Sequence, residues 1–357
     1  MDSQLPETAG MPIRSQQLGR RPTMRDVAAV AGVSLKTVSR VVNGEPGVSS
    51  TLGRRVREAI DELDFRPNIG ARSLRRAGGR TATVGLLLED VSNPFSSTLQ
   101  RAVEDVAIPR GVMVFTASLD EDPQRERELT RAFSARRADG LIIAPASNDQ
   151  SYLESELRAG TAIVCIDREA KRLEVDSVLT TNVAGAAAGM QHLLDHGHRR
   201  IAFLGDRADI TTAQQRYEGY TEALTAAGIP IDTSIVLSDL TSQTLAQAAA
   251  IQLLKQPDPP TAVFAAQNLV TIGVARALRQ LKREHTVALV GFDDFPLADL
   301  LDPGITVVAQ DPTAIGRLAA TVLFDRIGGH EGPPETHVVP TRLITRGSGE
   351  IRPPHQP

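Results

Sequence analysis

Between Ser34 and Asn43 the chain reads S-L-K-T-V-S-R-V-V-N. At 3.6 residues per turn this puts Leu35, Lys36, Ser39, Arg40 and Asn43 on one face of a helix, with Thr37, Val38, Val41 and Val42 opposite. The valine side must pack inward. The outer side then offers a long cation, a guanidinium able to pair bidentately with guanine, an apolar group, and short hydroxyl and amide groups, a set suited to reading the major groove of DNA. An ordinary solvated helix face has the same ingredients, so this helix alone leaves both readings open.

A second group of polar residues stands where apolar runs end: Asp90 to Asn93 after TVGLLLE, Asp167-Arg168 after AIVCI, Gln267-Asn268 after AVFAA, and Asp293-Asp294 after VALVGF. Ligands of open α/β sheets bind beyond the carboxyl ends of strands, and carboxylates, amides and guanidinium groups there can satisfy a polyhydroxylated molecule. An Asp in such a place also serves as a helix cap, so each residue alone decides little. Nothing proposes a reaction: no G-x-S-x-G, P-loop or dinucleotide-binding glycine fingerprint follows a strand. His192, His196 and His198 cluster at a helix C-terminus, where cations suit the dipole, and no metal site is read there. Cys165, inside an apolar strand, reads as a buried small hydrophobe, and no cofactor is implied.

These groups need elements to hold them. Residues 1–21 carry Pro, Gly, Gln and Ser without apolar periodicity and read as a disordered leader. Thr23 is an N-cap, Met24, Val27, Ala28 and Ala31 share a helical face, and Gly32 breaks the run. Ser34 caps the second helix, which ends at Asn43-Gly44, and a third from about Ser50 to Asp64 buries Val56, Ile60 and Leu63. The segment 67–80 has only Ile69 and Leu74 as sizeable apolar residues and cannot pack a core. From Thr81 strand-like runs alternate with amphipathic helices: TVGLLLED, a helix near Phe95–Ile108, VMVFTAS, a helix near Arg125–Arg136, GLIIAPAS, another helix, and AIVCIDRE. The pattern restarts at Arg200 with IAFLGD, a helix near Tyr217–Ala227, IVLSDL, a helix near Leu245–Leu254, AVFAAQ, a helix near Thr271–Leu281, and VALVGFDD. Such alternation implies parallel sheets covered by helices, here in two similar lobes.

Length and charge agree. A chain of 357 residues exceeds one ordinary core, and with 41% hydrophobic residues it can fill two or three. From Arg20 to Arg80 there are 13 Lys and Arg against 6 Asp and Glu, so this segment is +7 in a chain whose net charge is −4. A basic module on an acidic body suits a polyanionic partner. No apolar stretch approaches a membrane span, the first residues lack a signal-peptide core, and the single cysteine excludes an internal disulfide. A cytoplasmic protein without a membrane partner is expected.

The run PTMRDVAAVAGVSLKTVSRVVNGEPGVSSTLGRRVREAIDELDFRPN, followed by IGARSLR, resembles the DNA-binding head and hinge of the LacI/GalR family of bacterial repressors. The motif is carried by the turn A-G-V-S at 31–34, T-V-S-R-V-V-N-G, P-N at 67–68 and A-R-S-L at 71–74. The resemblance implies base-edge contacts from Leu35, Lys36 and Arg40, and phosphate contacts from Thr23, Ser34, Thr37, Ser39, Asn43 and Ser49. It implies a hinge that becomes helical on the operator, with Leu74 wedging into the minor groove and Ala71 beside it. Leu52 and Gly53 replace a polar Thr-Arg pair common in the family, and Phe65 replaces a usual tyrosine.

The resemblance continues to about Gly347 and implies a body of the periplasmic-binding-protein fold with a small-molecule effector between its lobes. The positions that match ligand-facing residues of sugar-binding relatives are Asn93, Phe95, Asp167, Arg168, Arg216, Gln267, Asp293 and Gln310. Ser96 and Leu240 stand where those relatives often have aromatic residues and Gln267 where Asn is usual, which reduces stacking on a sugar ring; Phe295 is a further residue within reach of the cleft.

The expectation is an α/β protein with an N-terminal three-helix helix-turn-helix head and a two-lobed effector domain. The divisions are a leader 1–21, a head 22–66, a hinge 67–80, an effector-binding and dimerisation domain 81–347, and a tail 348–357. It implies a ligand-responsive repressor, not an enzyme, binding a palindromic double-stranded operator as a homodimer or a tetramer, with a sugar or sugar derivative as the leading effector and a nucleoside or other small metabolite behind it. A solute-binding receptor would share the body but not the head. An activator and a corepressor-dependent repressor stay open.

Overall fold

The first two described helices of the N-terminal unit start at the hydroxyl residues that the sequence marks, and the third is capped by Ser49, just ahead of its expected start. In the computed structural model, which describes residues 20–66 and 80–354, α1 (Met24–Ala31) opens with a reciprocal capping box between Thr23 and Asp26. The Ser34 hydroxyl accepts from the Thr37 amide at 3.1 Å to cap α2 (Leu35–Asn43), and Ser49 accepts from the Leu52 amide at 3.4 Å to cap α3 (Ser50–Glu62). Each such cap contributes about 1 kcal/mol. Gly32 ends α1 at φ 62°, where a Cβ would lie 2.7 Å from Nη2 of Arg55. That guanidinium donates to the Ala31 carbonyl at 2.6 Å and ties α3 to the turn. The core is Val27, Ala28, Ala31, Val38, Val56, Ala59 and Phe65, with Met24, Val41, Val42, Ile60 and Leu63 at its margin. Phe65, past the end of α3, closes this core, while Ile60 and Leu63 are less buried than expected.

Residues 80–354 form the second unit, with two six-stranded sheets. The first half of the chain supplies β1 (Thr83–Leu88), α4 (Pro94–Ala107), β2 (Met113–Ser118), α5 (Pro123–Ala135), β3 (Gly140–Ile143), α6 (Glu154–Arg158), β4 (Ala162–Ile166) and β5 (Asp176–Thr180). The second lobe is built from α7 (Asn182–Asp195), β6 (Ile201–Leu204), α8 (Thr211–Ala226), β7 (Val236–Leu237), α9 (Gln243–Leu254), β8 (Ala262–Ala265), α10 (Asn268–Leu281), β9 (Ala288–Phe292) and β10 (Thr306–Ala309). The chain then returns to the first lobe with α11 (Pro312–Ile327) and β11 (Thr336–Val339), and ends its last strand, β12 (Arg342–Ile344), in the second.

Strand orders are β11-β5-β4-β3-β1-β2 and β12-β10-β9-β8-β6-β7, so the two sheets repeat one pattern. All pairings are parallel except β10 with β12. Strands buried on both faces explain the continuous apolar runs, and each sheet carries a core cluster on either side. The lobes are joined by three crossings, and two of these are laced together: the Thr341 amide donates to the Thr181 hydroxyl at 2.9 Å and the two hydroxyls lie 2.9 Å apart.

Several expectations change. Helices α8 and α10 begin at Thr211 and Asn268, earlier than expected, because neither Ile210 nor Gln267 caps through its side chain and no cap residue marks the start. The run IVLSDL yields only a two-residue strand. Residues 348–351 are not a trailing tail: Ser348 is buried and donates to the Leu289 carbonyl at 2.6 Å, and the Ile351 carbonyl lies 2.7 Å from Nε2 of His198. His198, whose pKa burial lowers, thus anchors the chain's end, and Cys165 is buried with its thiol pushed up to about 12 by desolvation.

Candidate nucleic-acid interface and ligand cleft

On α2 the face opposite Val38 is open. Leu35 and Lys36 are exposed, and Ser39, Arg40 and Asn43 are half-buried. Arg40 approaches a counter-charge only at 3.9 Å from Glu45, with both side chains solvated, a contact worth little. Asn43 donates to Ser39 and Glu45 at 3.3 Å each, and the hydroxyls of Ser34 and Thr37 lie 2.9 Å apart. Thr23, Ser34 and Ser49 sit at the N-termini of the three helices, where free amides and the helix dipole attract anions. Ala71 and Leu74 lie outside the described residues.

In the second unit, Asn93, Phe95, Asp167, Arg168, Arg216, Gln267, Asp293 and Gln310 all line one narrow cleft between the lobes. Strand ends and helix starts bring them there: Asn93 caps α4, Asp167 and Arg168 follow β4, Gln267 follows β8, Asp293 follows β9, Gln310 follows β10, and Arg216 stands on α8.

Arg216 organises the second lobe's side of the cleft. Its Nε donates to Asn182 at 2.9 Å, its Nη1 to the Ala266 carbonyl at 2.9 Å and to Asp293 at 3.4 Å, and its guanidinium lies 4.0 Å from the centre of the Phe292 ring. Asp293 also accepts from Gln310 at 2.6 Å. Burial raises its pKa, opposed by Arg216 and Gln310. In the first lobe Arg168 makes a two-pronged pair with Glu121 at 2.6 and 2.7 Å, and reaches Asp167 at 3.2 Å and the Pro145 carbonyl at 3.0 Å. The lobes touch through a reciprocal amide pair: Asn268 donates to Asn93 at 2.8 Å and Asn93 to Asn268 at 3.4 Å. Arg207 adds a bond to the Glu121 carbonyl at 3.2 Å.

Sequence reasoning missed Glu89 and Asp206, which line the cleft from opposite lobes, and Glu121, which engages Arg168. Glu89 follows β1 and Asp206 follows β6 closely, so the strand-end signal that singled out Asp167 and Asp293 was available for both. Two aromatic-site expectations need correction. Leu240 is buried in the core beside β6 rather than facing the cleft, and Phe295 lines an adjoining groove with Phe95, Asp293 and Gln310.

Among the described residues no helix is long and apolar enough to cross a membrane, and no three His, Cys, Asp or Glu side chains are grouped to hold a metal ion.

Residues 23–68 match the model of the lacI family of bacterial regulatory proteins, and residues 190–349 match that of the periplasmic binding protein-like domain. The chain is 34% identical over 308 residues to the ribose operon repressor of Escherichia coli K12, spanning 85% of this chain and 93% of that one. The lac repressor dimer bound to operator and the anti-inducer ONPF is 25% identical with a TM-score of 0.79, covering 92% of this chain and 99% of that one. A LacI family transcriptional regulator from Enterococcus faecium with bound ribose is 29% identical with a TM-score of 0.67, covering 77% and 100%. Head, two-lobed body and likeness over most of its length agree that this chain belongs to the lacI family of bacterial regulatory proteins and is a DNA-binding transcription regulator.

Proposed function

We propose that this regulator is a cytoplasmic repressor, a homodimer on a palindromic operator, controlled by a sugar or sugar derivative held between its lobes. Leu35, Lys36 and Arg40 read bases, while Thr23, Ser34, Thr37, Ser39, Asn43 and Ser49 hold phosphates. The body runs from about residue 80 to at least 351, and the segment between it and the head acts as the hinge, with Leu74 and Ala71 in the minor groove. The observation that carries the effector assignment is the convergence of eight polar or aromatic residues from both lobes on one cleft. The relatives bound to ribose and to ONPF support the chemical class.

The mechanism follows from connectivity. The first lobe is the one that the chain enters at Arg80, so a ligand that prefers one arrangement of the lobes biases the hinge ahead of it. It shifts operator affinity only by its differential affinity for the two arrangements, typically about 1–3 kcal/mol. The test is a melting-temperature screen of the full chain against sugars, followed by operator selection with and without the hit. A stabilising sugar that alters operator binding supports the proposal, and failure of every sugar to stabilise the chain contradicts the effector class.

A further inference from the structure

We infer that the effector carries a positively charged amine on a polyhydroxylated frame, its ammonium group held between Glu89 of the first lobe and Asp206 of the second. This inference rests on the effector reading above and deepens it. It follows from an inventory of what the cleft has left to offer. Arg168 spends its Nε, Nη1 and Nη2 on Asp167, Glu121 and the Pro145 carbonyl. Arg216 spends its Nε and Nη1, and Gln310 donates to Asp293. The acceptors are far less engaged. Among the described residues, neither carboxylate oxygen of Glu89 has a hydrogen bond or ion pair, and the Asp206 carboxylate accepts only from the Arg207 amide. Gln267, 8% exposed and lining the same cleft, holds a buried Oε1 with no partner. A ligand entering this site gains most by bringing donors to these acceptors, while Nη2 of Arg216 and Nε2 of Gln267, which make no hydrogen bond among the described residues, can meet its own acceptors.

A positive charge on that ligand adds to the fit, because it lets the burial-raised Glu89 carboxyl ionise. The cleft is lined by four carboxylates, Glu89, Asp167, Asp206 and Asp293, against two guanidiniums, and Glu121 already neutralises one of these. Burial together with Glu121 and Asp206 pushes the Glu89 carboxyl up to about 8, with Asp167 adding to the rise and Arg168 opposing it. Burial raises Asp206 as well, against Arg207, Arg216 and Arg168. Glu89 and Asp206, two cleft carboxyl groups that both resist ionisation, gain most from a cation held between them, because charge-assisted hydrogen bonds are strongest where solvent is excluded. The absence, among the described residues, of any three-ligand cluster favours an organic cation over a metal ion.

The experiment is calorimetry on the full chain near pH 7 with twin probes that differ only in the amine: D-glucosamine against D-glucose, and 1,4-dideoxy-1,4-imino-D-ribitol against 1,4-anhydro-D-ribitol. At least one amine should bind about tenfold or more tighter than its neutral twin. Glu89→Gln and Asp206→Asn should each shrink that preference to about threefold or less while the neutral twin still binds, which shows the variants folded. Tighter binding of the neutral twins overturns the amine and leaves the polyol reading standing. A preference that survives in both variants overturns the placement between Glu89 and Asp206. Binding of none of the four probes overturns the amine and counts against the polyol reading too.

Discussion

Asp167 and Asp293 are counterparts in the two lobes. Each follows the third strand from its sheet's late edge, β4 or β9, each has a left-handed backbone with φ of 67° and 68°, and each donates its amide to the neighbouring strand, at 3.1 Å to Val178 and 2.9 Å to Val308. Such a conformation costs a non-glycine residue roughly 1–2 kcal/mol, less for Asp and Asn, whose short polar side chains suit it. The repeated sheet thus sets one carboxylate into the cleft from each side. Asp167→Asn keeps the backbone and removes only charge, so effector affinity should fall about tenfold, equivalent to about 1.4 kcal/mol, with little change in melting temperature. Calorimetry and a thermal melt of the same sample check both halves.

The Arg216–Asp293 pair makes an asymmetric prediction. Arg216→Ala strands a buried carboxylate and leaves Asn182 and the Ala266 carbonyl short of a donor, so it should cost about 3–5 kcal/mol of body stability as well as effector binding. Adding Asp293→Asn should restore at least about 1 kcal/mol, because the stranded charge is gone. Urea unfolding of the two single variants and the double variant gives the coupling, and strictly additive losses would break this account.

The two lobes and their alternating elements were legible because parallel strands buried on both faces write themselves as apolar runs such as TVGLLL and ALVGF. The third-crossing architecture was not, since nothing local distinguishes a strand that returns to the first sheet, as β11 does, from one that stays. Uncapped helix starts were misplaced for the same local reason at Thr211 and Asn268. In the site, family resemblance found the residues that hold one another, Arg216 with Asp293 and Arg168 with Asp167, but it passed over Glu89, Asp206 and Glu121. The strand-end positions of Glu89 and Asp206 were legible, but the crowding with Glu121 that raises the Glu89 carboxyl arises only in three dimensions.

Glu89 predicts a pH dependence. Its folded pKa, about 8, lies above the ordinary carboxylate value of 4.5, so the folded protein holds a proton that the unfolded chain releases. Stability from this group is present below the ordinary value and is lost as pH rises toward about 8. Glu89→Gln removes the loss. The melting temperature of the variant relative to the natural chain should rise between about pH 5 and pH 9, by the equivalent of about 1 kcal/mol or more. A difference that stays flat with pH would show that Glu89 titrates normally.

In the head, Arg40→Ala should cost about 1–3 kcal/mol of discrimination at one base pair per half-site, as expected for a guanidinium on a guanine. Glu45→Ala should leave operator affinity unchanged or raise it, because the 3.9 Å contact to Arg40 is weak and solvated. Binding measurements on operator and on random DNA separate the cases: equal weakening on both by Arg40→Ala would make that residue a phosphate contact.

The central claim is that a ligand in the interlobe cleft controls DNA binding. Fluorescence anisotropy of the full chain on its selected operator, titrated with the effector found by screening, tests it most directly. Operator affinity should change by about 5- to 150-fold at saturating effector, and Asp167→Asn should shift that response to higher effector concentration without altering operator affinity in its absence. An effector that binds in the cleft, with its affinity reduced by Asp167→Asn, while operator affinity stays the same with and without it would contradict the account.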